Sequence, residues 1–236
     1  MSSMNEMPEL VLENIIGFLD FRTVYWKDYQ LLNDPFVHTL PLRMSNVSKK
    51  LNRKIKAKLL TVRMESQSEI MSILSFMEPE TLEKIEFLAM DEEMEIEINE
   101  IVKTEQWRRA KKLYCTFDVS NLNVEDVSHF PEVNIPVLSI SASDLDYLRK
   151  TYIRSFNFKS SWLKVRKFKD KRELSNYWGP SFYHRPYSFW YFRMKNSKEN
   201  ILRIMIKRYR RTDIFFQIIQ LEDVPTRAII QGYQES

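Results

Sequence analysis

The chain has 236 residues, 44% of them hydrophobic, enough to bury a core and inconsistent with a disordered segment. Its three glycines leave little material for phosphate-cradling loops, and its single cysteine, Cys115, has no internal disulfide partner, which fits a reducing compartment, the cytosol or the nucleus. Net charge is +4, the difference between 36 basic and 32 acidic side chains; such balance does not announce a nucleic-acid binder, and no apolar run approaches the roughly 20 residues of a membrane-spanning helix.

In chain order, the N-terminal MSSMNEMPE lacks the basic region and apolar run of a secretory signal. Residues 8–19 (PELVLENIIGFL) predict a short helix, with Pro8 in the first turn, where its missing N–H costs nothing. Val11, Ile15 and Phe18 form one stripe and Leu12, Ile16 and Leu19 the next, so the apolar face is wide enough for a core or a partner groove. Residues 22–41 read as irregular. Residues 42–60 read as a second helix, with Val47, Leu51 and Ile55 spaced by four among basic residues.

From residue 66 the texture changes. Ser66 and Glu69 have capping-box spacing, and Ile70, Ile73, Leu74 and Met77 follow at helical intervals before Pro79. Three apolar strands, KIEFLAM (84–90), KKLYCTF (111–117) and VLSIS (137–141), then start at nearly even spacing, which suggests leucine-rich-repeat-like units. The helical returns would use Ile98, Ile101, Val102 and Trp107, then Leu145, Leu148 and Tyr152 behind a cap at Ser143. FWYFRM (189–194), ILRIMIKR (201–208) and DIFFQIIQLE (213–222), separated by KNSKEN and YRRT, predict an antiparallel meander closing the sheet. The predicted fold is therefore α/β: a small helical module over 1–60, then a leucine-rich-repeat-like α/β solenoid domain over 61–236 capped by the meander.

Two sets of segments carry a family resemblance. Residues 7–21 (MPELVLENIIGFLDF) and 42–55 (LRMSNVSKKLNRKI) resemble the opening and closing halves of an F-box, separated here by about twenty residues, longer than the usual connection. TLEKIEFLAMDEE (81–93), EIVKTEQWRRAKKLYC (100–115) and the closing WYFRM, ILRIMI and FFQIIQLEDVPTRAIIQ segments (190–231) resemble the FTH domain, which follows an F-box in a nematode protein family. Glu105-Gln106-Trp107 and LEDVP are the best markers. The resemblance implies a non-catalytic, substrate-recruiting subunit of a Skp1–cullin–F-box (SCF-type) ubiquitin ligase. The N-terminal helices would dock on a Skp1-like adaptor, and through it a cullin, while the C-terminal domain presents a protein substrate.

Burial of a broad apolar helix face at about 25 cal/mol per Å² suits such docking. The residues implied as adaptor contacts are Pro8, Leu10, Val11, Leu12, Ile15, Ile16 and Leu19, joined by Leu42, Val47 and Leu51. Some of these must hold the helical module together, because one stripe of a helical trio faces inward.

No catalytic or cofactor motif stands beside this. The histidines at 38, 129 and 184 lack ligand spacing, and no cysteine pair exists for zinc. Cys115 lies in an apolar strand pattern, where cysteines are inert. The acidic run 91–100 lacks the glycine and alternating Asp/Asn of a calcium loop and reads as a solvated helix face. Trp178, Phe182, Tyr183, Tyr187 and Trp190 are the candidate substrate contacts, set against the alternative that they fill the end of the core; the loop portion 179–188 is the best placed for recognition. The basic stripe at 49–58 and KRYRR (207–211) keeps a nucleic-acid-binding alternative open, although KRYRR falls at a predicted turn, where charged residues are ordinary. A protein-interaction scaffold without cullin coupling is the other alternative.

Overall fold

The computed structural model describes the backbone of Phe21–Tyr25 and residues 54–91, 93–168 and 171–232. The helix expected over 8–19 and all ten expected adaptor contacts (Pro8, Leu10, Val11, Leu12, Ile15, Ile16, Leu19, Leu42, Val47, Leu51) lie outside the described residues. The protein is mixed α/β and dominated by strands. It forms two compact units, Met1–Ala110 and Lys111–Ser236.

In the first unit, β1 (Phe21–Tyr25) runs parallel to β2 (Ala57–Met64), and β2 runs parallel to β3 (Lys84–Ala89). Neither β1 nor β2 was expected from the sequence. Around Ile55 and Ala57 the exposed Lys54, Lys56 and Lys58 alternate with buried apolar residues, a period of two that belongs to extended chain. The four-residue spacing of Val47, Leu51 and Ile55 had suggested a helix to residue 60. The domain boundary drawn there falls inside β2.

Helix α1 (Gln67–Leu74) crosses from β2 to β3 and buries Ile70, Ile73 and Leu74. Ser66 caps it, accepting from Glu69 N–H, and the Glu69 carboxylate accepts from Glu65 N–H (3.0 Å). The acidic stretch is not a helix face. Exposed Glu95 and Glu97 alternate with buried Ile96 and Ile98 in extended chain that includes the short strand β4 (Glu95–Ile96). A 3-10 turn (Ile101–Lys103) and the five-residue helix α2 (Glu105–Arg109) follow. Gln106, buried within the Glu-Gln-Trp triplet, donates to Met77 O (2.8 Å), and Trp107 is buried beside it.

In the second unit, β5 (Lys112–Cys115), β7 (Glu132–Ser139) and β8 (Ser160–Lys167) are parallel, with β6 (Asp118–Val119) paired beside β7. Helix α3 (Ala142–Arg154) crosses from β7 to β8, capped by Ser141 rather than Ser143. Helix α4 (Lys171–Trp178) follows β8. The hairpin β9 (Phe182–His184) and β10 (Tyr187–Arg193) then leads into β11 (Asn200–Arg208) and β12 (Thr212–Gln220). The expected meander β10–β11–β12 is present, and its last strand, not its first, pairs with β8. The short β13 (Ile230–Gln231) lies parallel to β10.

The returns between these strands are unequal in length and kind. The returns are an eight-residue helix, a 3-10 turn with a one-turn helix, a 3-10 turn alone and a thirteen-residue helix. β7 begins at Glu132, well before the expected VLSIS, so the even spacing is not kept. Alternation sets the two faces of this unit's sheet. Leu163, Val165, Ile204, Ile214 and Phe216 are buried on the side that α3 and α4 cover, where Tyr152 meets Phe216 edge-on (5.3 Å) and Trp178 meets Phe192 (6.1 Å). On the other side a half-buried row crosses seven strands through directly paired residues: Tyr114, Asn134, Trp162, Phe215, Met205, Phe189 and Phe182.

Candidate binding surface

The aromatic-rich stretch after α4 folds as a hairpin instead of a loop. Gly179 takes the left-handed backbone (φ 66°) that ends α4, a conformation that side chains with a Cβ resist. β9 and β10 then pair through Tyr187–His184, Ser188–Tyr183 and Phe189–Phe182, joined by the two-residue turn Arg185–Pro186 with a cis peptide bond.

That register separates the five aromatic candidates. Trp178 and Trp190 are buried at 0% and 2% exposure, so they offer a macromolecular substrate almost no surface. They meet edge-on at 5.4 Å, and both indole N–H groups are engaged: Trp178 donates to Asp146 Oδ1 (3.0 Å) and Trp190 to Gly179 O (3.1 Å). This is core packing with satisfied polar tips. Phe182 packs on the side away from the helices, against the cluster of Tyr191, Ile201 and Ile219. Tyr187 is half-buried, with the Lys207 ammonium 5.8 Å from its ring centre. Tyr183 is 58% exposed.

Tyr183, Ser188 and Ile206 form one directly paired row across β9, β10 and β11. Trp190 is two residues beyond Ser188, and Arg208 two beyond Ile206, so period-two alternation puts all five on one face. With Arg185 and Pro186 from the turn they line a cavity of about 400 Å³. The pairing of Tyr187 with Lys207 and of Arg208 with Thr212 brings two turns, Arg185–Pro186 and residues 209–211, to the same end of the sheet. Sequence reading had found Tyr183, Trp190 and the KRYRR turn separately. It missed the joint role of Arg185, Ser188 and Arg208, because only strand register unites them.

Three arginines near the cavity have acceptors: Asp118, almost fully buried, accepts from Arg211 Nη1 (2.6 Å) and from Arg166 Nη2, and Arg203 donates to Gln217 Oε1 (2.6 Å). Arg185 and Arg208 are exposed and have no hydrogen-bond or ion-pair partner among the described residues. Among the described residues no carboxylate lines the cavity. Its chemistry is two free guanidiniums and two hydroxyls, with Pro186 and the Tyr183 ring as exposed apolar surface and Trp190 and Ile206 buried beneath, suited to an anion carried on an extended chain.

Cys115 is 2% exposed, and burial pushes its thiol well above the usual range, so the nucleophilic thiolate is not available near neutrality. Among the described residues no group of three or more His, Cys, Asp or Glu side chains could hold a metal ion, and no helix is long and apolar enough to cross a membrane.

Residues 42–180, more than half of the chain, match the model of the FTH domain. The chain belongs to the FTH domain family. No curated protein and no solved structure matches it. The FTH match begins within the segment read as the second half of the F-box and ends just after α4. It therefore covers the Glu105-Gln106-Trp107 triplet, whereas the LEDVP segment and the meander lie beyond it. The FTH domain is thus central in the chain, not C-terminal as the sequence resemblance had it. The cavity is lined entirely by residues that follow the family domain.

Proposed function

We propose that this FTH-domain protein is a substrate-recruiting subunit of an SCF-type ubiquitin ligase, with no catalytic role of its own. Its N-terminal segment docks on a Skp1-like adaptor, and the strand-rich remainder holds a protein substrate. The observation that carries this reading is the FTH match over residues 42–180, since FTH domains are associated with F-box-type proteins. Two features support it. Apolar residues recur at helical spacing across residues 8–19, on the N-terminal side of the family domain. An open cavity with unpaired cations also lies on the second unit, where a partner can reach it.

The test is a pull-down of the purified full-length chain with a Skp1-like adaptor, beside an Ile15→Asp/Leu19→Asp double variant. Retention of the wild type and loss of the variant is the expected result, because a carboxylate in an apolar groove is left unpaired and desolvated. A well-folded wild type that ignores the adaptor sinks the reading. Nucleic-acid binding is the second reading, and Arg185 and Arg208 are the observation that favours it. It requires retention on single-stranded RNA or DNA that falls steeply with salt.

A further inference from the structure

We propose that the cavity between the β9–β10 turn and the end of β11 binds a phosphorylated side chain presented on an extended peptide. The inference rests on the adaptor reading and names the chemical class of substrate.

Arg185 and Arg208 bring two permanent positive charges to one cavity, and no carboxylate or other acceptor among the described residues neutralises them. Two such forks suit a dianion with several acceptor oxygens; a single carboxylate would leave one of them unused. The Tyr183 and Ser188 hydroxyls add donors that no described residue occupies. Exposed Pro186 and the Tyr183 ring offer apolar surface to the carbon stem that carries the phosphate, and about 400 Å³ exceeds what a bare phosphate needs.

An extended peptide is favoured by the neighbouring backbone. β9 pairs only with β10, so among the described residues no strand lies on its outer edge, immediately beside Tyr183. A peptide added there as a strand gains main-chain hydrogen bonds and places alternate side chains over the cavity side of the sheet.

The experiment uses the full-length chain and degenerate peptide pools centred on phosphoserine, phosphothreonine or phosphotyrosine, each beside its unphosphorylated counterpart, with binding read by fluorescence anisotropy. Tighter binding of at least one phosphorylated pool is expected, weakened about tenfold or more in Arg185→Ala/Arg208→Ala. Lys198→Ala, at an exposed turn outside the cavity, should match the wild type. Both arginines are exposed, so the double variant should keep the wild-type melting temperature, which separates lost binding from lost fold. Equal binding of phosphorylated and unphosphorylated pools, or an unaffected double variant, overturns the proposal. So does preferential, arginine-dependent capture of single-stranded RNA over every pool. No adaptor is present in this assay. A chain that binds the adaptor but no phosphopeptide overturns only this inference; the reverse result overturns only the adaptor reading.

Discussion

Asp118 gathers two arginines in the second unit. Its carboxylate is 1% exposed and bridges Arg166 and Arg211. Its two arginine partners are about a third exposed, so removing the carboxylate loses two charge-assisted hydrogen bonds while water can still reach both guanidiniums. Asp118→Ala should therefore destabilise the protein by about 2 kcal/mol, read from the midpoint of urea unfolding. Asp146 is buried as well and accepts from Trp178, Arg149 (2.8 Å) and Lys150 (2.9 Å). Burial by itself would raise its pKa; the Lys150 hydrogen bond, the Arg149 charge and the remaining donors outweigh that and hold it below the usual carboxylate value. A folded-state pKa below the unfolded one stabilises at pH above the unfolded value, about 4, and this contribution is lost as pH falls through the folded value. Asp146→Asn should thus lose less stability than the wild type on acidification below about pH 4, measured as urea midpoints along a pH series. None of these partners is close in sequence to Asp118, so no local pattern could flag it. Asp146 and its i+3 and i+4 cations were visible in the sequence, but the indole donor, 32 residues away, was not.

At the scale of elements, helix α3 depends on its start. Ser141 Oγ accepts from Asp144 N–H (3.1 Å), and the Asp144 carboxylate accepts from Ser141 N–H (3.0 Å), a reciprocal box that satisfies two otherwise free donors. Ser141→Ala should cost about 1 kcal/mol and lower Tm by about 3 °C in calorimetry. Sequence reading placed the cap at Ser143, whose hydroxyl instead meets that of Ser141 (2.8 Å). Ser139, Ser141 and Ser143 stand at every second position there, and spacing alone cannot tell which one leaves helical geometry. Element boundaries were most legible where apolar and polar residues alternate cleanly, as in β3, β5 and β11. They were least legible in β7, where Ile135, Pro136 and Val137 are consecutively buried and alternation disappears.

At the scale of the whole molecule, the reading assigns two separate tasks to two regions of sequence: adaptor docking to the N-terminal apolar segment and substrate recognition to the β9–β11 cavity. The two should be separable by mutation. Arg185→Ala/Arg208→Ala should leave the adaptor pull-down unchanged, because those side chains are exposed and make no contact that supports the fold. Loss of adaptor retention in that variant would contradict the assignment.

The amino-acid sequence by itself determined the mixed α/β class, the meander strands, the polar turns between them and the FTH family, because each is written in residues near one another along the chain. Tertiary structure decided which strands are neighbours and in what register. It buried Trp178 and Trp190, turned Phe182 away from Tyr183, and set Arg185 beside Arg208. A shift of one residue in the pairing of β10 with β11 would set Ser188 and Trp190 on the face opposite Ile206 and Arg208, and that pairing is settled only when the apolar face of each strand finds its place in the common core.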